Sequence, residues 1–155
     1  MHSHEVILYA EDEESDAFFV ERAFKKTGVG QRLVIVPSGQ EAIDYLAGKG
    51  DYADRTRHPL PILVLLDLNM PGVPGLDVLK WIRTTPSVCT LVTIVLTSSN
   101  QDVDVHRAYQ QGANGYLVKP GDIDSMLPMV RAIKDYWLTQ NRATASSAIQ
   151  PARTG

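Results

Sequence analysis

Five polar side chains follow directly on apolar runs: Glu11 and Asp12 after VILYA, Asp67 after ILVLL, Thr97 after LVTIVL and Lys119 after GYLV. An apolar interior has no use for a charge, so each such group is expected where its strand reaches water. Three carboxylates gathered at one place repel one another unless a cation offsets them. Mg²⁺ suits that task, because it takes oxygen ligands, keeps several waters and pairs one or two carboxylates with a phosphate. Asp12 and Asp67 are expected as direct ligands, Glu11 as a ligand through water, and the backbone carbonyl of Asn69 as a third contact. A carboxylate that attacks a phosphoryl group becomes an aspartyl phosphate. Positioning and charge neutralisation dominate such transfers. Lys119 is expected to neutralise one phosphoryl oxygen and the Thr97 hydroxyl to donate to another, with the ion bridging the third.

The elements that position these groups follow from patterning. An unbroken run such as ILVLL, without alternation, reads as a strand covered on both faces, as in a parallel sheet with helices on each side. Strands are expected at Val6 to Ala10, Leu33 to Val36, Ile62 to Leu66, Leu91 to Leu96 and Gly115 to Val118. The intervening helices are Ser15 to Lys26 with Phe19, Val20, Ala23 and Phe24 inward, Gly39 to Leu46, and Gly75 to Thr84 with Leu76, Leu79 and Ile82 inward. Asp102 to Gln111 follows, then Asp122 to Leu138 with Met126, Leu127, Val130, Ile133 and Trp137 as its stripe. Ser38 and Glu41 form a capping-box pattern. Pro128 is placed in the first turns of the last helix, where a missing amide is tolerated. Glu13, Glu14 and Asp16 read as solvated carboxylates favoured by a helix N-terminus. Alternating strands and helices with right-handed crossovers give one parallel α/β sheet whose carboxyl edge collects the five groups.

The chain has 155 residues, 44% of them hydrophobic and 21% charged. That suits one domain over 1–138, followed by a flexible tail over 139–155 that lacks apolar periodicity. A net charge of −3 supplies no basic field for nucleic-acid phosphates. No run is long enough for a bilayer span and no signal-peptide pattern opens the chain, so a cytoplasmic protein is expected. The single Cys89 excludes an internal disulfide. His2, His4, His58 and His106 show no metal-ligand spacing. Residues 47–61 form a long connection suited either to a partner contact or to a tolerated insertion. Phe18, off its helix's apolar stripe, is a candidate docking residue.

Four segments, AED at 10–12, LLDLNMPG at 65–72, LTSS at 96–99 and GYLVKP at 115–120, resemble in order and spacing the receiver domain of bacterial two-component response regulators. The resemblance implies a flavodoxin-like doubly wound (βα)5 sheet of order 2-1-3-4-5. It implies that Asp67 accepts a phosphoryl group from a sensor histidine kinase, with the Mg²⁺ site above and with Thr97 and Tyr116 as a switch pair. Glu11 stands where Asp is commoner, and Pro74 where an Asp often follows the turn. The long 47–61 connection, LLDLNMP and Tyr136-Trp137 resemble the small regulators that partner phytochrome kinases, which would make the input red light. A stand-alone regulator is then expected, not an enzyme beyond its own phosphorylation and dephosphorylation. Its output would be protein contact, and it would dimerise through the fourth and fifth helices. A dinucleotide binder would need a Gly-rich loop after the first strand, and a phosphatase a general acid beside Asp67, where Leu68 and Asn69 stand. A receiver-like module that is never phosphorylated is the remaining alternative.

Overall fold

The computed structural model describes residues 4–142. His2 and residues 143–155 of the expected tail lie outside them. Five parallel strands, β1 (Val6–Ala10), β2 (Arg32–Val36), β3 (Leu63–Leu66), β4 (Val92–Thr97) and β5 (Gly115–Val118), run in the order β2-β1-β3-β4-β5. The helices are α1 (Glu14–Lys26), α2 (Gly39–Ala47), α3 (Gly75–Thr84), α4 (Asp102–Gln110) and α5 (Ile123–Ile133). The flavodoxin-like sheet and its strand order are as the sequence implies. Among the described residues no helix is long and apolar enough to cross a membrane.

The sheet divides the interior into two cores, which explains why its central strands are apolar at nearly every position, Thr93 and Thr97 of β4 being buried polar exceptions. Val6, Leu8 and Ala10 of β1 face one core with α2, α3 and Ala108 of α4, while Ile7 and Tyr9 face the other with α1 and α5. Successive strand side chains alternate between faces, so a strand covered on both sides needs an apolar residue at each place. β1, β3 and β4 are accordingly buried throughout. Of α4, Ala108 alone is fully buried, so this helix is lightly held.

The inward faces differ from expectation in places. Val20, Ala23 and Phe24 are buried in α1, but Phe19 is 41% exposed and packs edge-to-face on Phe18, which is 53% exposed. The buried phase is set by Val20, Ala23 and Phe24, and Phe19 falls off the side of that stripe. In α3 Val78 is sealed with Leu79 and Ile82, and Leu76 is only partly buried. The capping box is half made. The Ser38 hydroxyl accepts from the Glu41 amide at 3.1 Å, while the Glu41 carboxylate takes the Tyr52 hydroxyl at 2.9 Å. Pro128 is the sixth residue of α5, beyond the free amides of the first turn, so the helix gives up a bond there. Asp122 caps that helix through the Ser125 amide. The chain then widens into a π-type turn over Lys134–Gln140, which takes in Thr139 and Gln140, expected in the tail.

The 47–61 connection is packed rather than open. Arg55 donates to the carbonyls of Tyr45, Leu46 and His58 at 2.8, 2.7 and 3.0 Å, tying the connection to the end of α2. The rings of Tyr45, Tyr52 and His58 meet pairwise at 5.0–5.9 Å.

Candidate functional site

Three of the polar groups at the carboxyl edge are pinned by one more ladder bond beyond their strands. The amides of Glu11, Asp67 and Lys119 donate to Val36, Ala10 and Thr97 carbonyls at 3.0, 3.2 and 2.8 Å. After Asp67 the chain turns sharply through Gly72, whose φ of +78° a side chain would resist. It comes back so closely that a Cβ on Gly75 would lie 2.2 Å from the Asp67 carbonyl oxygen. The start of α3 therefore buttresses the Asp67 backbone, and only glycine permits the contact.

Asp67 is 4% exposed and Thr97 fully buried. Asp67 Oδ1 accepts from the Thr97 hydroxyl at 2.9 Å and from the Asn69 amide at 3.1 Å. Its Oδ2 accepts from Lys119 Nζ at 2.9 Å. The same ammonium donates to Glu11 Oε1 at 2.6 Å and Asp16 Oδ2 at 2.8 Å. Glu11 is held further by the Tyr9 hydroxyl at 2.8 Å and the Glu13 amide at 3.2 Å.

The electrostatics follow from these contacts. Burial alone would raise the Asp67 carboxyl, but the Lys119 ammonium and the Asn69 amide outweigh it and hold Asp67 below the usual value. Burial keeps Glu11 above the ordinary range, and the bonds from Lys119 and Tyr9 offset only part of the rise. Burial opposes the charge on Lys119, yet Asp16, Glu11 and Asp67 together raise it above a free lysine, so it stays an ammonium. Burial first, then the neighbouring Glu11 carboxylate, pushes the Tyr9 phenol far up, and it serves as a neutral donor.

Carboxylate oxygens of Glu11, Asp12 and Asp67 lie within 4.8 Å of one another. Asp12 Oδ1 is buried without a hydrogen-bond partner, an unfavourable state for a carboxylate oxygen in a completed site. Three carboxylates brought this close could hold a hard divalent cation, which takes oxygen ligands. The Asn69 amide, whose role was not expected, donates to Asp67.

Farther along the edge, the Tyr116 hydroxyl donates to the Ser99 carbonyl at 2.9 Å, and the Ser99 hydroxyl donates to Asp104 at 2.5 Å. Tyr116 is half-buried. The chain between Thr97 and α4 is thus tied to Tyr116 on one side and to the first turn of α4 on the other.

Two neighbours were not anticipated. Asp16, read as a solvated helix-end carboxylate, bonds to Lys119. Tyr9, read only as part of an apolar strand, carries the hydroxyl that holds Glu11. Tyr9 and Glu11 are two residues apart on a strand and so share a face, a signal that was present in the sequence.

The response regulator receiver domain profile matches residues 7–131. The chain is 37% identical over 141 residues to the probable methanogenesis regulatory protein FilR2 of Methanothrix harundinacea, covering 89% of this chain and 86% of that protein. It is 34% identical over 133 residues to response regulator Rcp1 of Synechocystis sp., covering 86% and 88%. The Mn(2+)-bound form of Rcp1 superposes with a TM-score of 0.81 at 33% identity, over 91% of this chain and 99% of that one. The phosphorylated cyanobacterial phytochrome response regulator RcpA superposes at 0.85 and 29% identity, over 92% and 100%. With a profile that spans most of the described fold and relatives matched nearly end to end, the chain belongs to the response regulator receiver domain family.

Proposed function

We propose that the chain is a phosphorylation-controlled interaction switch in which Asp67 is the phosphoacceptor. The observation that carries this reading is the convergence on one buried carboxylate of a hydroxyl, a backbone amide and an ammonium. These donors leave Asp67 ionised and fixed, as a nucleophile must be. When a phosphoryl group arrives, Thr97 and Lys119 can each redirect the hydrogen bond they donate to the Asp67 carboxylate onto a phosphoryl oxygen. Glu11, Asp12 and Asp67 would hold Mg²⁺, directly or through water, with the Asn69 carbonyl as a further contact. The ion would supply charge neutralisation for the transferred group. Moving the Thr97 hydroxyl toward the phosphoryl group would disturb the β4–α4 connection, where Tyr116 is anchored on Ser99 and α4 has little buried surface. Thr97 and Tyr116 are therefore the proposed switch pair.

The donor is proposed to be a sensor histidine kinase of the phytochrome type, following the similarity to Rcp1 and RcpA. The output is proposed to be contact with another protein in the cytoplasm. The exposed Val103, Tyr109, Val118 and Tyr136 lie along α4, β5 and the turn after α5, and suit a homodimer through that face. A monomer mass at micromolar concentration, before and after phosphorylation, would remove the dimer.

Intact mass after incubation with acetyl phosphate and Mg²⁺ tests the central reading. One added phosphoryl group, not gained when the metal is chelated beforehand, is the expected result. A folded chain that binds Mg²⁺ and gains no mass would turn the reading to an unphosphorylated interaction module.

A further inference from the structure

Lys119 is the only cation that touches Asp67 among the described residues, and its bonds are fully committed. An ammonium has three N–H donors, and here Glu11, Asp16 and Asp67 take one each. A phosphoryl group on Asp67 can be neutralised by Lys119 only if one of these bonds is given up or shared. The three partners are unequal. The side chains of Glu11 and Asp67 are buried, whereas that of Asp16 is 37% exposed at the rim. Buried Glu11 has no water to replace the ammonium, but Asp16 can be rehydrated at little cost.

We propose that Asp16 is a positioning residue that holds the Lys119 ammonium in the resting state and thereby brakes phosphoryl uptake at Asp67. This rests on Asp67 being the phosphoacceptor. Asp16 acts in two ways that have the same sign. It occupies a donor that the phosphoryl oxygens need, and its charge stands at the mouth of the site through which an anionic donor must approach. Since the Asp16 side chain is partly solvated, the effect is moderate and sensitive to salt. Asp16 lies in the first turn of α1, so its removal also weakens a favourable helix-end charge. Glu14, in the same turn and exposed, makes no bond to Lys119 and controls for that effect.

The test is the initial rate of phosphoryl uptake from acetyl phosphate with saturating Mg²⁺, followed by intact mass, for wild type, Asp16→Asn, Asp16→Glu and Glu14→Gln. Asp16→Asn keeps the shape and removes the charge. It is expected to take up phosphoryl groups about three- to ten-fold faster at low ionic strength, with the advantage shrinking in high salt. Asp16→Glu and Glu14→Gln are expected near the wild-type rate. A rate for Asp16→Asn at or below wild type, or equal acceleration by Glu14→Gln, would overturn the brake while leaving the phosphoacceptor intact. No uptake by wild type itself would instead remove the phosphoacceptor reading, and the brake with it.

Discussion

Replacing Asp67 by Asn is expected to leave a folded protein that gains no phosphoryl group, under conditions in which the wild-type chain gains one. The amide is nearly the same shape as the carboxylate but is not a nucleophile toward phosphorus. With its oxygen in the place of Oδ1 it still accepts from Thr97 and from the Asn69 amide, contacts that are 2.9 and 3.1 Å in the native chain. Its NH2 then faces Lys119 Nζ, donor against donor, and the ammonium is left to Glu11 and Asp16. The lost bond is opposed by relief of repulsion, since Glu11, Asp12, Asp16 and Asp67 otherwise crowd one ammonium. The two nearly cancel, and the stability change is expected within about 1 kcal/mol. Intact mass and a urea melt on the same preparation check both halves. Uptake that persisted in Asp67→Asn would assign the phosphoacceptor to another carboxylate of the chain.

The site was largely legible because each of its main groups ends an apolar run, and the geometry of a parallel sheet brings such ends to one edge. Glu11, Asp12, Asp67, Thr97 and Lys119 required no knowledge of packing beyond that. Asp16 was illegible for a physical reason. A carboxylate in the first turn of a helix is favoured by the helix dipole whether or not it also meets a lysine, and its partner is more than one hundred residues away in sequence. Phe19 shows the limit of periodicity in a short helix, since one residue on the margin of a stripe can fall to either side. The packing of residues 47–61 rests on Arg55 finding carbonyls at the end of α2, and neither composition nor spacing announces such a contact. Pro128 misled in the opposite way: its tolerance in α5 depends on counting from the cap, and the cap is Asp122.

Lys119→Met is expected to have the largest effect on stability of any single change at this edge. The Lys119 side chain is 5% exposed and faces two carboxylates that are as well sealed, Glu11 and Asp67. Removing one partner of a buried ion pair leaves the other charge without compensation, at a cost of about 3–5 kcal/mol. Asp16 is left out of that figure because water can replace its partner. The loss has a definite pH dependence. In the native chain Asp67 is held below its ordinary value and Glu11 above it. The lowered Asp67 contributes stability that is present above the unfolded carboxylate value and is lost as pH falls through its folded value. The raised Glu11 works the other way, favouring the fold at low pH and disfavouring it as pH rises through its folded value. Without the ammonium both carboxyls shift upward, because burial is no longer opposed. The penalty for Lys119→Met should therefore be greatest near neutrality and shrink as the pH falls and both groups take up protons. Mg²⁺ should restore part of the loss at neutral pH, since the acidic oxygens then have another cation. Phosphoryl uptake should still fall about 100-fold or more, the usual consequence of removing a preorganised donor from a developing anion. Urea melts of both proteins across pH, with and without Mg²⁺, decide the matter. A penalty that is flat with pH would mean that Lys119 contributes chiefly through the packing of its methylenes rather than by compensating buried charge.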